Sequence, residues 1–308
     1  MLRPFLLYLS RAPWARRIVT GWGIARRMAR RFVAGETEDE AVAAIRKLNA
    51  AGITVTVDVL GESTTDAAEA RRAADTYVSM IERIPAEKLD ASVSIKLTAL
   101  GLDVDPQVCR ENVLRILEIA RARKIKVTVD MEDHTYTDRT LELLREFRAE
   151  GFKNIQAVIQ AYLFRSEDDI NALAKEGVDV RLCKGAYREP AAVAFPKKAD
   201  TDAAYVREAK TLIDATRNGG GFPGLATHDE KIINTLEAYT IEKQIPRDKF
   251  EFQMLHGVRS DLQQRLVADG YRLRVYVPYG TQWYPYLMRR LAENPANLWF
   301  FMSNFFRR

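Results

Sequence analysis

Short apolar runs alternate with longer amphipathic ones along most of the chain, and the hydrophobic period changes at each switch. Eight runs have an extended pattern: Ile53–Leu60, Ser92–Leu97, Lys126–Met131, Ile155–Ala161, Val178–Cys183, Gly224–Ala226, Phe250–Leu255 and Leu273–Val277. They are rich in Val, Ile and Leu, and several are apolar on both faces, as buried parallel strands are. Between them lie stretches of helical period, among them Ala67–Ile84, Pro106–Arg123, Asp138–Gly151 and Thr201–Asn218. Asp105-Pro106 and Thr201-Asp202 have the chemistry of helix starts, and Gly151 and Gly219 that of stops. Eight strands separated by helices predict an α/β (β/α)8 TIM barrel over residues 51–308, with residues 1–50 as an extra N-terminal helical arm. A doubly wound open sheet is the alternative, and Gly224–Ala226 is the weakest strand. No G-x-G-x-x-G follows an early strand, which counts against a Rossmann site.

Composition adds limits. With 47% hydrophobic and 29% charged residues, the 308-residue chain can bury a large core. No apolar stretch reaches the roughly 18 residues a membrane-spanning helix needs. Cys109 and Cys183 make neither a disulfide framework nor a metal-ligand spacing, which fits a reducing, cytoplasmic setting. The net charge of +5 is concentrated at the start: no acidic residue precedes Glu36, while Arg3, Arg11, Arg16, Arg17, Arg26, Arg27, Arg30 and Arg31 are basic. Trp14, Ile18, Trp22 and Ala25 recur at helical spacing, and Trp299, Phe300, Phe301, Phe305 and Phe306 precede a terminal Arg307-Arg308. Two readings stand: an amphipathic helix on the inner face of the cytoplasmic membrane, or a lid packed on its own domain. A nucleic-acid module is the non-enzyme alternative, disfavoured because no nucleic-acid motif accompanies the arginines.

In a barrel, active sites gather where strands end. Those positions are unusually polar: Asp58 and Glu62, Lys96, Asp130 with Glu132, Asp133 and His134, Gln160, Arg181 and Lys184, Thr227-His228, Gln253 and His256, Tyr276 and Tyr279. Singly, Lys96 could be an outward lysine and Asp58 a helix cap. Collectively they point to a cavity, because isolated charges in apolar strands are costly unless paired. A metal site from His134, His228 and His256 lacks ligand spacing, and no metal is expected. Cys183-Lys184-Gly185-Ala186 offers a glycine beside positive charge, suited to a pyrophosphate or the electron-rich part of a flavin. Gly219-Gly220-Gly221 is a helix stop and turn rather than a phosphate loop. Near the C-terminus Tyr286, Arg289, Arg290 and Glu293 share one helical face. Two adjacent guanidiniums there suit a ligand carboxylate; a solvated basic stripe, with Glu293 pairing along the helix, is the alternative.

The motifs Asp58-Val-Leu-Gly-Glu62, Ser94-Ile-Lys-Leu97, Val129-Asp-Met-Glu132, Arg181-Leu-Cys-Lys-Gly-Ala-Tyr187, Thr227-His228, Phe252-Gln-Met-Leu-His-Gly257, Tyr276-Val-Pro-Tyr-Gly280 and Tyr286-Leu-Met-Arg-Arg-Leu-Ala-Glu-Asn294 run in order through the chain. In them the sequence resembles the proline dehydrogenase family, in its compact single-function bacterial form. The resemblance implies a distorted barrel holding FAD and oxidation of L-proline to Δ1-pyrroline-5-carboxylate. It further implies hydride transfer from C5 to flavin N5, with electrons passing to a membrane quinone. Arg289, Arg290 and Lys96 would hold the carboxylate, and Tyr276 and Tyr286 would wall the ring, with Tyr284 the alternative to Tyr286. Asp130 and Arg181 would be catalytic; Glu62, Tyr187 and Glu293 would gate or brace the site. Met131, Gln160, Arg181, Cys183, Lys184, Gly185, Ala186, Thr227 and His228 would contact FAD. The length leaves no room for the aldehyde dehydrogenase part of the large bifunctional relatives, so a separate pyrroline-5-carboxylate dehydrogenase is the expected downstream partner. Hydroxyproline oxidation and a folate-type flavin reductase are the enzyme alternatives.

Overall fold

The computed structural model describes residues 29–61 and 63–293, the side chains of residues 289–293 excepted. The expectations for Glu62, for the side chains of Arg289, Arg290 and Glu293, for the basic arm before residue 29 and for the aromatic tail lie outside the described residues.

Along each strand, neighbouring residues are buried in two different environments. Val55, Val57, Val93, Ile95, Val180 and Leu182 are buried in the apolar core. Thr56, Asp58, Ser92, Ser94, Lys96, Arg181 and Gln253, interleaved with them, are also buried but bond one another across the barrel interior. The period of two is therefore apolar outward toward the helices and polar inward.

The strands are β1 (Thr54–Val59), β2 (Ala91–Ile95), β3 (Val127–Val129), β4 (Ile155–Gln160), β5 (Val180–Cys183), β6 (Pro223–Ala226), β7 (Glu251–Leu255) and β8 (Leu273–Tyr279). They pair in chain order, all parallel, and β8 returns to β1, closing the barrel. The doubtful sixth strand pairs with both β5 and β7, which rules out the open sheet.

The described helices are α1 (Glu38–Ala50), α2 (Ala67–Ala86), α3 (Pro106–Ala122), α4 (Thr137–Ala149), α5 (Ser166–Lys175), α6 (Lys198–Ala215), α7 (Glu230–Glu242), α8 (Ser260–Ala268) and α9 (Trp283–Glu293). Asp105 caps α3, accepting from the Gln107 amide at 2.8 Å, with Pro106 in the first turn. Gly151 and Gly219 follow their helices at φ +93° and +81°, a conformation glycine takes without strain. The start of α6 differs from expectation. It begins at Lys198, and Thr201 is buried within it rather than capping it. Asp202 is engaged by Lys184 and Lys198 instead of by the helix amides.

Helix α1 precedes β1 yet packs against both β1 and β8. It thus occupies the flank where a helix following β8 would otherwise sit. Helix α9, displaced from that flank, packs with Ala29, Phe32, Val33 and Leu60 in a second apolar cluster. Trp283 donates from Nε1 to Glu36 at 3.0 Å, and Gly280 N donates to Gly35 O at 2.9 Å, tying the start of α9 to the segment before α1.

Candidate active site

A lysine and an aspartate buried at strand ends have to find partners or lose their charge. Lys96 follows β2 and is 8% exposed; its Nζ donates to Asp58 Oδ1 at 2.6 Å and lies 3.8 Å from Asp130 Oδ2. Lys96 thus points inward, and Asp58 is its partner rather than a helix cap. Burial pushes the Asp58 carboxyl up to about 6, against the pull of the Lys96 ammonium.

Asp130 follows β3 and joins three neighbouring groups. Its Oδ1 accepts from Ser94 at 2.6 Å and from Arg181 Nη1 at 2.7 Å, and its Oδ2 accepts from the Tyr276 hydroxyl at 2.7 Å. Burial, reinforced by Asp130, keeps the Tyr276 phenol far above its ordinary pKa, so it stays a neutral donor. The Arg181 guanidinium lies over the Tyr276 ring, 5.4 Å from its centroid. Its Nε donates to Gln253 Oε1 at 2.6 Å. Side chains on or just after five strands (β2, β3, β5, β7 and β8) are thereby locked into one array.

This array borders a cavity of about 460 Å³ at the C-terminal ends of the strands. The lining includes Lys96, Asp130, Met131, Gln160, Arg181, Cys183, Lys184, Gly185, Ala186, Tyr187, Thr227, His228, Tyr276 and Tyr286. These are all the residues given a substrate, cofactor or gating role whose side chains are described; Glu132, Asp133, His134, His256 and Tyr279 do not line the cavity. Tyr284, the alternative to Tyr286, is buried in the α9 cluster instead. Asp58 and Gln253, expected only as polar strand-end positions without a role, line the cavity too, as does Asp229. Asp229 could have been suspected only as a helix cap; it caps α7 and also takes Lys184 Nζ at 2.9 Å. Burial alone would raise its pKa, but Lys184 and Lys198 outweigh that and bring it down to about 2.

Several expected contributions take a different form. Lys184 is shared between Asp202 at 2.6 Å and Asp229 at 2.9 Å, so it brings little net positive charge to the cavity. Gly185, at φ +115°, is needed by packing as well as by conformation, since a Cβ there would overlap the ring of Tyr162. Burial pushes the Cys183 thiol up to about 12, which makes it no nucleophile at neutral pH. His228 Nε2 accepts from the Leu255 amide at 2.9 Å, whereas His134 bonds Glu189. The three histidines do not converge, and no group of metal-ligating side chains occurs among the described residues. What the cavity does offer is an apolar wall of Met131, Val158, Ala226 and Leu255 beside amide, guanidinium, imidazole and hydroxyl groups. That donor set fits a flat heteroaromatic group with polar edges, and the volume is ordinary for a small-molecule site.

The geometry agrees with three comparisons. A family model described as proline dehydrogenase matches residues 41–303. The chain is 42% identical over 298 residues to proline dehydrogenase 2 of Bacillus subtilis strain 168, covering 97% of this chain and 96% of that one. It is 41% identical over 274 residues to proline dehydrogenase of Deinococcus radiodurans, covering 88% and 87%. The crystal structure of proline utilization A from Bdellovibrio bacteriovorus inactivated by N-propargylglycine matches with a TM-score of 0.80 at 29% identity. That match covers 88% of this chain and 33% of the longer protein.

Proposed function

This chain belongs to the proline dehydrogenase family, enzymes that oxidise proline in its catabolism, and from that premise we propose that it converts L-proline to Δ1-pyrroline-5-carboxylate with FAD as cofactor and a membrane quinone as electron acceptor. The observation that carries this reading is the Asp130 carboxylate, which gathers Ser94, Arg181 and Tyr276 at the cavity wall beside Lys96. When bound, FAD supplies a two-electron acceptor for the hydride leaving proline C5. The protein's part is binding, orientation and electrostatics.

Arg289 and Arg290 hold the substrate carboxylate in this reading, with Lys96 adding charge on the same side, while Glu62 and Glu293 steady the arginines. Tyr276 and Tyr286 close on the pyrrolidine ring, and Tyr187 borders the entrance. Hydride can leave only from the neutral amine, so the substrate's ammonium proton has to be lost before the chemical step. Asp130 accepts three hydrogen bonds and so serves to fix Tyr276 and Arg181 rather than to collect a proton. Arg181 presents positive charge where negative charge develops on reduction. Met131, Gln160, residues 183–186, Thr227 and His228 form the rest of the cofactor contact.

Anaerobic addition of L-proline to the purified protein tests this directly. A yellow flavin spectrum that bleaches supports the reading; a spectrum indifferent to proline refutes it. The basic residues before Glu36 would reach the bilayer where quinone resides, while Glu38–Ala50 packs on the barrel. No helix among the described residues is long and apolar enough to cross a membrane. Flotation with anionic liposomes, comparing the full chain with a deletion of residues 1–31, tests surface contact, and equal failure to float would rule it out. A separate pyrroline-5-carboxylate dehydrogenase would take the product onward.

A further inference from the structure

Arg181 is 5% exposed, and Asp130 is only one of the groups that orient it. Its Nε donates to Gln253 Oε1 at 2.6 Å, and Gln253 Nε2 donates to Glu251 Oε1 at 2.7 Å. The same Glu251 oxygen accepts from Arg274 Nε at 2.6 Å, and Arg274 Nη1 donates to the Val55 carbonyl at 2.8 Å and to Ser92 at 3.2 Å. A guanidinium can only donate and a carboxylate can only accept, so the amide between them has one workable orientation. Gln253 and Glu251 lie two apart on β7, on one face, and Gln253 sits opposite Arg274 in the β7–β8 register. Gly224 on β6 leaves the space the amide occupies, since a Cβ there would overlap Gln253 Nε2.

This chain of bonds is not built for stability alone. Glu251 is 3% exposed, and its Oε2 has no hydrogen-bond partner among the described residues. A buried carboxylate left half-satisfied is a cost that an apolar core at this level would avoid. Its other oxygen, anchored by Arg274, aligns the Gln253 amide so that the carbonyl faces Arg181.

We propose that Gln253 and Glu251 are positioning residues for the proline oxidation, holding the Arg181 guanidinium in place at the cavity wall where the flavin would bind. The proposal rests on the reading that Arg181 faces the flavin. Gln253 also borders the cavity, and in this role it acts through the Arg181 guanidinium that it holds.

The test compares Gln253→Met, Arg181→Met and the double variant as flavin-loaded full chains, reading kcat, proline KM and the midpoint potential of the bound flavin. Losing a hydrogen bond to a buried charged group should lower kcat of Gln253→Met about tenfold, with KM within about twofold of wild type. The midpoint potential should become more negative, as a misaligned guanidinium stabilises the reduced flavin less. In the Arg181→Met background the second substitution should change nothing further. Gln253→Asn, too short to bridge Arg181 and Glu251, should behave likewise and serves if Gln253→Met does not fold. Multiplying effects in the double variant, or an unmoved potential in the Gln253 variants, would overturn the proposal while leaving the role of Arg181 intact. If Arg181→Met itself keeps wild-type kcat and potential, the flavin-facing reading of Arg181 is wrong and the proposal falls with it.

Discussion

Tyr276 on β8 donates its phenolic hydrogen to Asp130 beyond β3 at 2.7 Å, while Arg181 holds the other oxygen of the same carboxylate at 2.7 Å. The position of a tyrosine and of a buried guanidinium, both lining the cavity, is thus set by one aspartate. Moving either partner disturbs both.

Tyr276→Phe removes one of the three donors to Asp130 but keeps the aromatic wall. The expected cost is about 1–3 kcal/mol of stability, the usual penalty for leaving a buried acceptor short of a partner. Thermal unfolding of the two proteins checks this, and equal melting temperatures would mean that water replaces the phenol without loss.

Asp58 makes stability depend on pH in an unusual direction. Its folded pKa of about 6 lies above the ordinary 3.8, because burial disfavours the charged form. Its stabilising contribution is complete below the unfolded value and is lost as pH rises through the folded one. The unfolding free energy of wild type minus that of Asp58→Asn should therefore fall between about pH 4 and pH 6, by up to about 3 kcal/mol. Denaturant unfolding across that window measures it; a flat difference would show that Lys96 neutralises the shift.

Glu208 on α6 gives a second case, away from the cavity. Its Oε1 accepts from Ser166 at 2.5 Å, its Oε2 has no partner among the described residues, and burial pushes its pKa up to about 7. The folded value again exceeds the unfolded one, so stability is present at low pH and lost as pH rises through about 7. Glu208→Gln should raise the melting temperature at pH 8 and change it little near pH 5. Destabilisation at pH 8 would show the ionised carboxylate to be better served than its contacts indicate.

Arg289→Met and Arg290→Met test the carboxylate grip. Each should cost about 1.5–3 kcal/mol of substrate binding, raising the proline KM roughly tenfold to over a hundredfold while flavin stays bound. Steady-state kinetics with a flavin count per chain decides it. Wild-type KM in both variants would remove the arginine pair from the site.

The barrel was legible because each strand advertises itself locally, by a short Val- and Ile-rich run bounded by turn residues. Much of the cavity was legible for a related reason: a lysine at 96 or an arginine at 181 inside such a run is too costly to ignore. Two of the partnerships were not legible. Asp58 meets Lys96 from 38 residues away, and Arg181 meets Gln253 across 72, distances at which no local spacing speaks. Glu251 and Arg274 sit at the near ends of β7 and β8, where a charge looks like a solvated strand terminus. The start of α6 was misplaced because Thr201-Asp202 has the chemistry of a cap, while the actual boundary at Lys197 has no side-chain cap at all.

The Arg274–Glu251–Ser92 array also acts as a stopper. It fills the end of the barrel opposite the cavity with interlocked polar side chains, so that among the described residues this end is blocked. In the proposed reaction, product leaving by the cavity mouth would then meet the next proline arriving there.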